Sequence, residues 1–423
     1  MALLQPCATL GTMIEQTSPQ PTFLLSPRAI RMANLLAVAL AVLMLLSTGA
    51  NLGNGADDSA QYRQASRNLL QTGDPYATTP SPGPLEPANP NPPLLAYLLV
   101  PLAPLPQPAF RLVWYLINCA CLLALLALSL RLLADPALSR FWGVIFAGFV
   151  FAPPTYLCLA LGQLGIMLAL LAVASFALAS RHPGKAGAAL AFGAALKLYP
   201  AFIGLYVLVR GPRRVLWWAA AFGGFFLAIP ALLSGLAPYE SYLRKVLLGG
   251  YYPYPAAFNI SLRGLWDRLF TANPYAGPWV DLPVLATGAT LLSAALVVGL
   301  CLWVRAAPDH LGRLIVFAFW LCALQLLTPL NGYYNLPALL LPCLVLIACL
   351  RRYPSLGTLR LLALAVALLY LPPGWSRGFP ALDQALRTGP GLLLQAPSLY
   401  GVILMALLLL RLARLHCKNS LAR

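Results

Sequence analysis

Charge is what this sequence has least of. Only 9% of its 423 residues are Asp, Glu, Lys or Arg, while 60% are hydrophobic; a soluble domain carries ~25% charged residues. A soluble fold of this length could not keep so much apolar surface from water, and the apolar residues fall in long runs rather than in period-2 or period-3.6 patterns. The composition therefore predicts lipid as the solvent. Acids are scarcer than bases, 11 against 28, and imidazole is nearly absent, with only His182, His310 and His416. The net charge of +17 does not predict a nucleic-acid partner. Its basic residues sit in short groups between apolar runs, as in cytoplasmic loops under the positive-inside rule, and form no continuous basic face. The nine cysteines lack metal-ligand spacing, and most lie in apolar stretches as small hydrophobes. A serine-hydrolase elbow, a phosphate-cradling glycine loop and a zinc pattern are all missing, so no metal and no cofactor is expected.

What is present is a series of runs long enough to span, judged against ~20 residues per helix. They lie near 33–50, 109–133, 141–158, 164–180, 214–234, 283–304, 313–328, 335–350, 358–372 and 397–413. The first could pass for a signal-peptide core, but some thirty residues precede it, so it reads as a retained helix. The runs 186–196 and 199–210 are each too short to cross and predict a kinked hairpin returning to its starting side. The stretch 93–106, broken by Pro101, Pro104 and Pro106, predicts a partly inserted helix. The fold class expected is an all-α polytopic membrane protein with about 10 full transmembrane helices plus a short-helix hairpin, and with juxtamembrane helices on its outward loops.

Charge sorts the loops. One alternating set holds 18 of the 28 basic residues, among them Arg131, Arg181, Arg210, Arg313 and Arg351, with only Glu15, Asp135 and Asp309 among the acids. That set is predicted to be cytoplasmic, with both termini, and the plasma membrane is the expected location. The division expected is a tail at 1–32, a catalytic transmembrane region at 33–350, further helices at 351–413 and a second tail at 414–423. The long loops 51–108, 235–282 and 373–396 then face outward, where function usually resides.

Several residues in these loops could carry chemistry. Asp57 and Asp58 follow the first span, and either carboxylate could act as general base toward a hydroxyl. Equally, an Asp there could only cap the helical stretch 58–71. Lys197 in "LKLYP" lies between two apolar half-helices; an amine there is either a phosphate-binding point charge or a snorkelling side chain. Gln163 in "GQLG" could donate to a ligand or link two helices. "NISLRGL" at 259–265 offers Asn259, Ser261 and Arg263, and is also a formal glycosylation sequon. "TPLNGYYNLP" at 328–337 groups Tyr333, Tyr334 and Asn335, where aromatic-belt anchoring could equally explain the tyrosines. All three histidines fall on the predicted cytoplasmic side, so a base on the outer face would have to be a carboxylate.

These motifs, in this order, resemble glycosyltransferase family 87, of the membrane-embedded GT-C class. The resemblance runs from about 35 to 345 and rests on Asp58-Ser-Ala-Gln-Tyr62, "GDPY" at 73–76, "NPPLLAYLLVPLAPLP" at 91–106, the Gln163 motif, "LKLYP" at 196–200 and "NISLRGL". It implies that Asp58, by its spacing to Tyr62, matches the family's first-loop catalytic base, with Asp57 second. It further implies that Lys197 and Arg263 meet the donor phosphate, and that Tyr62, Gln163, Tyr199, Asn259, Ser261, Tyr333, Tyr334 and Asn335 contact substrate. The implied reaction is inverting transfer of a hexose, mannose first, from a polyprenyl-phosphate sugar donor to a glycolipid or glycan acceptor at the outer face of the bilayer. Many relatives carry a histidine where this chain has Tyr333 and Tyr334, which bears on acceptor and sugar. The rival reading is a secondary transporter or flippase; it calls for inverted repeats and midplane charges on several helices, and this chain offers Lys197 alone. A non-catalytic lipid-binding or assembly subunit is a third reading, and it would leave Asp58 dispensable.

Overall fold

A computed structural model describes residues 26–52, 57–77, 90–248, 254–305 and 307–421. The expected tail up to residue 25 and most of the Pro-rich segment 80–93 lie outside them. The chain is 78% helical, without strands among the described residues, and is an all-α polytopic membrane protein. Seven helices are long and apolar enough to cross: Pro27–Ala50, Gln107–Leu133, Arg213–Ser234, Pro283–Trp303, His310–Leu327, Tyr333–Arg352 and Pro397–Ser420.

The other expected spans differ in form. The run 141–158 is two nine-residue helices, Trp142–Val150 and Pro153–Leu161, bent by 61° where Pro153 and Pro154 supply no backbone N–H. Gly165–Leu178 and Leu356–Tyr370 are helices of 14 and 15 residues, about 21–23 Å long at 1.5 Å per residue and so shorter than a ~30 Å hydrocarbon core. The hairpin is Pro183–Leu196 followed by Phe202–Arg210, hinged at Lys197. The segment 93–106 is a short helix, Leu94–Leu98, and a single 3-10 turn.

Burial shows which helices face lipid. In Pro27–Ala50, Arg213–Ser234 and Pro283–Trp303 only 11% of the most apolar window is covered, and side chains such as Leu35, Trp217 and Leu292 point outward. His310–Leu327 is 78% covered and packs against Pro397–Leu421 and Leu340–Arg352 at the bundle centre. Because lipid gives apolar helices no reason to associate, polar contacts fix the packing. Asn34, buried in the first helix, accepts from the amides of Gly143 and Val144 and donates to the Arg140 carbonyl at 2.7 Å. It thereby satisfies the orphan N–H groups at the start of the neighbouring helix.

One end of the bundle is covered by the loop helices. Ser59–Thr72 lies on Leu94–Leu98, where Ser66 donates to the Ala96 carbonyl. "GDPY" joins this layer to the second loop: the Lys245 ammonium meets Asp74 at 2.8 Å, Ser241 donates to the same oxygen, and the buried Tyr76 donates to the Asn91 carbonyl. The second loop is pinned in turn to residues 328–335. Asn259 pairs with Gly332 across an isolated β-bridge, its side chain accepts from the Asn331 amide, and Ser261 donates to the Pro329 carbonyl.

Candidate active site

Beneath this cover lies a cavity of about 470 Å³. Its walls come from six stretches of the sequence, with Gln61 and Tyr62, Asn91, Gln163, Lys197 and Tyr199, Tyr242 and Tyr254, and Thr328 and Tyr334 among the lining residues. Tyr242 begins a π-helical segment, Tyr242–Leu248, whose Tyr242 and Leu247 belong to the cavity wall.

The first wall depends on a tight backbone approach at Gly162. That residue ends the Pro153–Leu161 helix in the left-handed region (φ +69°), and a Cβ there would stand 2.8 Å from the Ser59 Cβ. Glycine is therefore required twice over. Its carbonyl accepts from the Trp114 indole at 2.7 Å, and the neighbouring Leu161 carbonyl accepts from the Asp58 amide at 3.0 Å. These bonds bring Gln163 to the start of the Ser59–Thr72 helix, where its Nε2 donates to Asp58 Oδ2 at 2.6 Å and its Oε1 accepts from Tyr62 at 3.1 Å.

The two adjacent carboxylates have separate surroundings. Asp57 does the local capping: its Oδ1 accepts from the Ser59 amide at 3.0 Å, its Oδ2 from Gln107 at 2.6 Å, and Arg111 stands 3.6 Å away. Asp58 caps nothing with its side chain. Among the described residues its Oδ2 is held by Gln163 alone and its Oδ1 receives no donor. Burial raises the Asp58 carboxyl above its ordinary value, against the lowering effects of the Gln163 hydrogen bond and the Lys197 charge. A raised carboxylate that is still reachable is the property a general base needs.

Lys197 faces the cavity. Its helix ends at that residue, which takes up an extended backbone, and the ammonium lies 5.8 and 5.7 Å from the ring centroids of Tyr199 and Tyr334. These are cation–π contacts; the ammonium has no hydrogen bond or ion pair among the described residues. A charge so placed can receive an anion.

The remaining candidates divide. Tyr62, Gln163, Tyr199 and Tyr334 line the cavity. Tyr199 leads from it to a buried amide chain, through Asn335 to Asn331 and on to Gln325. Asn259 and Ser261 sit behind the wall with their polar atoms used inside the protein, Ser261 also capping the helix Leu262–Phe270. The buried Tyr333 donates to the Leu369 carbonyl at 2.6 Å and serves packing. Arg263 stacks on Tyr254, 3.7 Å above its ring centroid, and pairs with Asp267; it stands behind a lining residue. Sequence reading missed Gln107 and Arg111, which fix Asp57. Their only signal was polarity at the loop end of an otherwise apolar run. It also missed Arg268, fully buried and clamping the carbonyls of Ala256 and Asn259.

No cluster of His, Cys, Asp or Glu able to hold a metal occurs among the described residues. A match to glycosyltransferase family 87 covers residues 89–329, more than half of the 423-residue chain. The chain belongs to glycosyltransferase family 87. It is thus a membrane glycosyltransferase. The matched stretch contains Gln163, Lys197 and the second-loop residues, while Asp58 precedes it and Tyr333–Asn335 follow it. No curated protein and no solved structure matches the chain.

Proposed function

We propose that the protein is a GT-C-type enzyme that moves a hexose, mannose first among candidates, from a polyprenyl-phosphate donor to a hydroxyl of a glycolipid or glycan, with inversion, at the outer face of the plasma membrane. The observation that carries this reading is that Lys197, whose ammonium has no hydrogen bond or ion pair among the described residues, lines one cavity with Gln163, whose side chain holds the carboxylate of Asp58, in a family 87 chain. The acceptor hydroxyl gives its proton to Asp58 Oδ1 as its oxygen bonds to the anomeric carbon. The bond from that carbon to the phosphate oxygen breaks on the opposite face, and its electron pair leaves with the polyprenyl phosphate. Charge grows on the phosphate in the transition state, and stabilisation where charge develops is the most effective kind. Lys197 supplies it as a point charge, so the leaving group needs no proton. Tyr199, Tyr254 and Tyr334 line the same cavity and would meet the sugar there. Gln163 holds Asp58 in position.

The testing experiment incubates purified protein with lipid-linked mannose, glucose and arabinose and follows donor consumption against candidate glycolipids. The reading expects acceptor-dependent consumption of one donor and a product of inverted anomeric configuration. Net movement of an intact donor or solute across vesicles without consumption supports a transporter instead.

A further inference from the structure

The helices that leave the candidate active site converge again at their other ends. Gln107–Leu133 carries Arg131 in its last turn, Arg181 follows the end of Gly165–Leu178, Phe202–Arg210 closes on Arg210, and His310–Leu327 has Arg313 in its first turn. These four arginines, with His310 and Ser180, line a single cavity of about 720 Å³, more spacious than the active-site cavity.

Its charge is uncompensated. No Asp or Glu lines it among the described residues. The two described acids expected on that side are engaged elsewhere, Asp135 with Arg351 at 2.8 Å and Asp309 with His416 at 2.9 Å. Arg210 donates to the carbonyls of Leu302 and Val304, which pins it, yet its buried Nε has no partner. Among the described residues Arg313 donates only to the Pro308 carbonyl, and His310 donates from Nε2 to the Leu132 carbonyl. Arg131 and Arg181 make no hydrogen bond or ion pair among the described residues. Four like charges around one hollow repel one another unless an anion joins them, and Arg matches the planar, multidentate geometry of phosphate oxygens. Basic pockets between membrane helices suit lipid headgroups.

We propose that this cavity is a second binding site, for a phosphate-bearing anion, separate from the transfer site and independent of the transfer reading. The seat lies at the arginine-bearing ends of these helices, and its ligand is either the headgroup of an anionic phospholipid or free phosphate.

The test uses full-length protein in detergent and records thermal unfolding against dioctanoyl phosphatidate, inorganic phosphate and dioctanoyl phosphatidylcholine. The variant R131Q/R181Q removes two charges that bond to no described residue, so the fold should persist. R360Q/R411Q removes two exposed charges from helices that do not line the cavity. Saturable stabilisation by phosphatidate but not phosphatidylcholine is expected, at least ~10-fold weaker in R131Q/R181Q, the scale of a lost hydrogen bond to a charged group, and unchanged in R360Q/R411Q. Equal occupancy by inorganic phosphate assigns free phosphate as the source; phosphatidate alone assigns a lipid headgroup. Absence of saturable stabilisation by either probe, or equal weakening in both variants, or none in R131Q/R181Q, overturns the site.

Discussion

Lys197→Met isolates the charge at the hinge of the hairpin. Methionine keeps most of the length and apolar stem of lysine, so the two ring contacts at 5.7 and 5.8 Å lose their cation without leaving a large hole. No hydrogen bond or ion pair among the described residues is broken. Removing an amine from a low-dielectric site also removes a desolvation cost, so thermal stability should hold or rise. Function should respond differently. A hydrogen bond to a charged group contributes about 1.5–3 kcal/mol, so donor affinity should fall ~10–100-fold if the ammonium meets the donor phosphate, with a further loss where leaving-group charge develops. A second readout follows from the field of the same charge. Lys197 lowers the Asp58 carboxyl, so its removal lets burial raise that group further, and the acid limb of the rate profile should move to higher pH. Lys197→Arg, which restores charge with a different shape, should recover part of both effects. Equilibrium binding of a lipid-linked sugar together with kcat/KM against pH provides the check. Unchanged donor affinity and an unmoved acid limb in Lys197→Met would refute the phosphate-binding role and leave a side chain that merely snorkels.

Other outcomes can be read in the same assays. Asp58 must be ionised to act, and burial raises its carboxyl, so transfer should fall as pH drops, at a pH above that expected for an ordinary aspartate; a profile flat across the acid side contradicts this. Gln163→Leu removes the bond that favours the ionised form, so the acid limb should rise in pH and kcat should fall ~10–100-fold, whereas a purely structural Gln163 would lower stability and leave the limb in place. Gly162→Ala forces a Cβ into Ser59 at positive φ and should cost ~1–3 kcal/mol in thermal or denaturant unfolding; unchanged stability contradicts the close approach. Tags at residue 20 and after Arg423 should report the cytoplasm and a tag within 80–90 the exterior, from the asymmetry of 18 against 10 basic residues; labelling of either terminus by an impermeant reagent in intact cells contradicts the topology.

Hydropathy made most of the bundle legible, because in lipid each span must be a long apolar run. It could not separate a straight span from a bent one: residues 141–158 are apolar throughout, and only Pro153 and Pro154 marked the 61° bend. The carboxylate at Asp58 and the amine at Lys197 were visible as polar residues in costly positions. Their surroundings were not, since the Gln163–Asp58 bond joins residues 105 apart, a distance that no local pattern reports. Adjacency also misled. Asp57 and Asp58 are chemically identical in sequence, yet Asp57 is held by Arg111, Gln107 and Ser59, while one oxygen of Asp58 receives no donor from the described residues. Asn259, Ser261 and Tyr333 had the right chemistry for ligand contacts and spend it on loop and helix carbonyls. A side chain that can bind a substrate can equally satisfy backbone, and sequence does not say which.

The central claim rests on the free oxygen of Asp58, and Asp58→Asn tests it most directly. Asparagine keeps the size of the side chain and can still accept from Gln163, but it cannot take a proton. Since Asp58 forms no side-chain cap, the variant should fold and bind lipid-linked sugar as the parent does. A general base contributes ~10²–10⁴-fold to rate, and single-turnover transfer should fall by that factor. Normal donor binding with transfer reduced at least ~100-fold is the predicted result; retention of more than about a tenth of parental transfer, well outside the general-base range, would contradict the account.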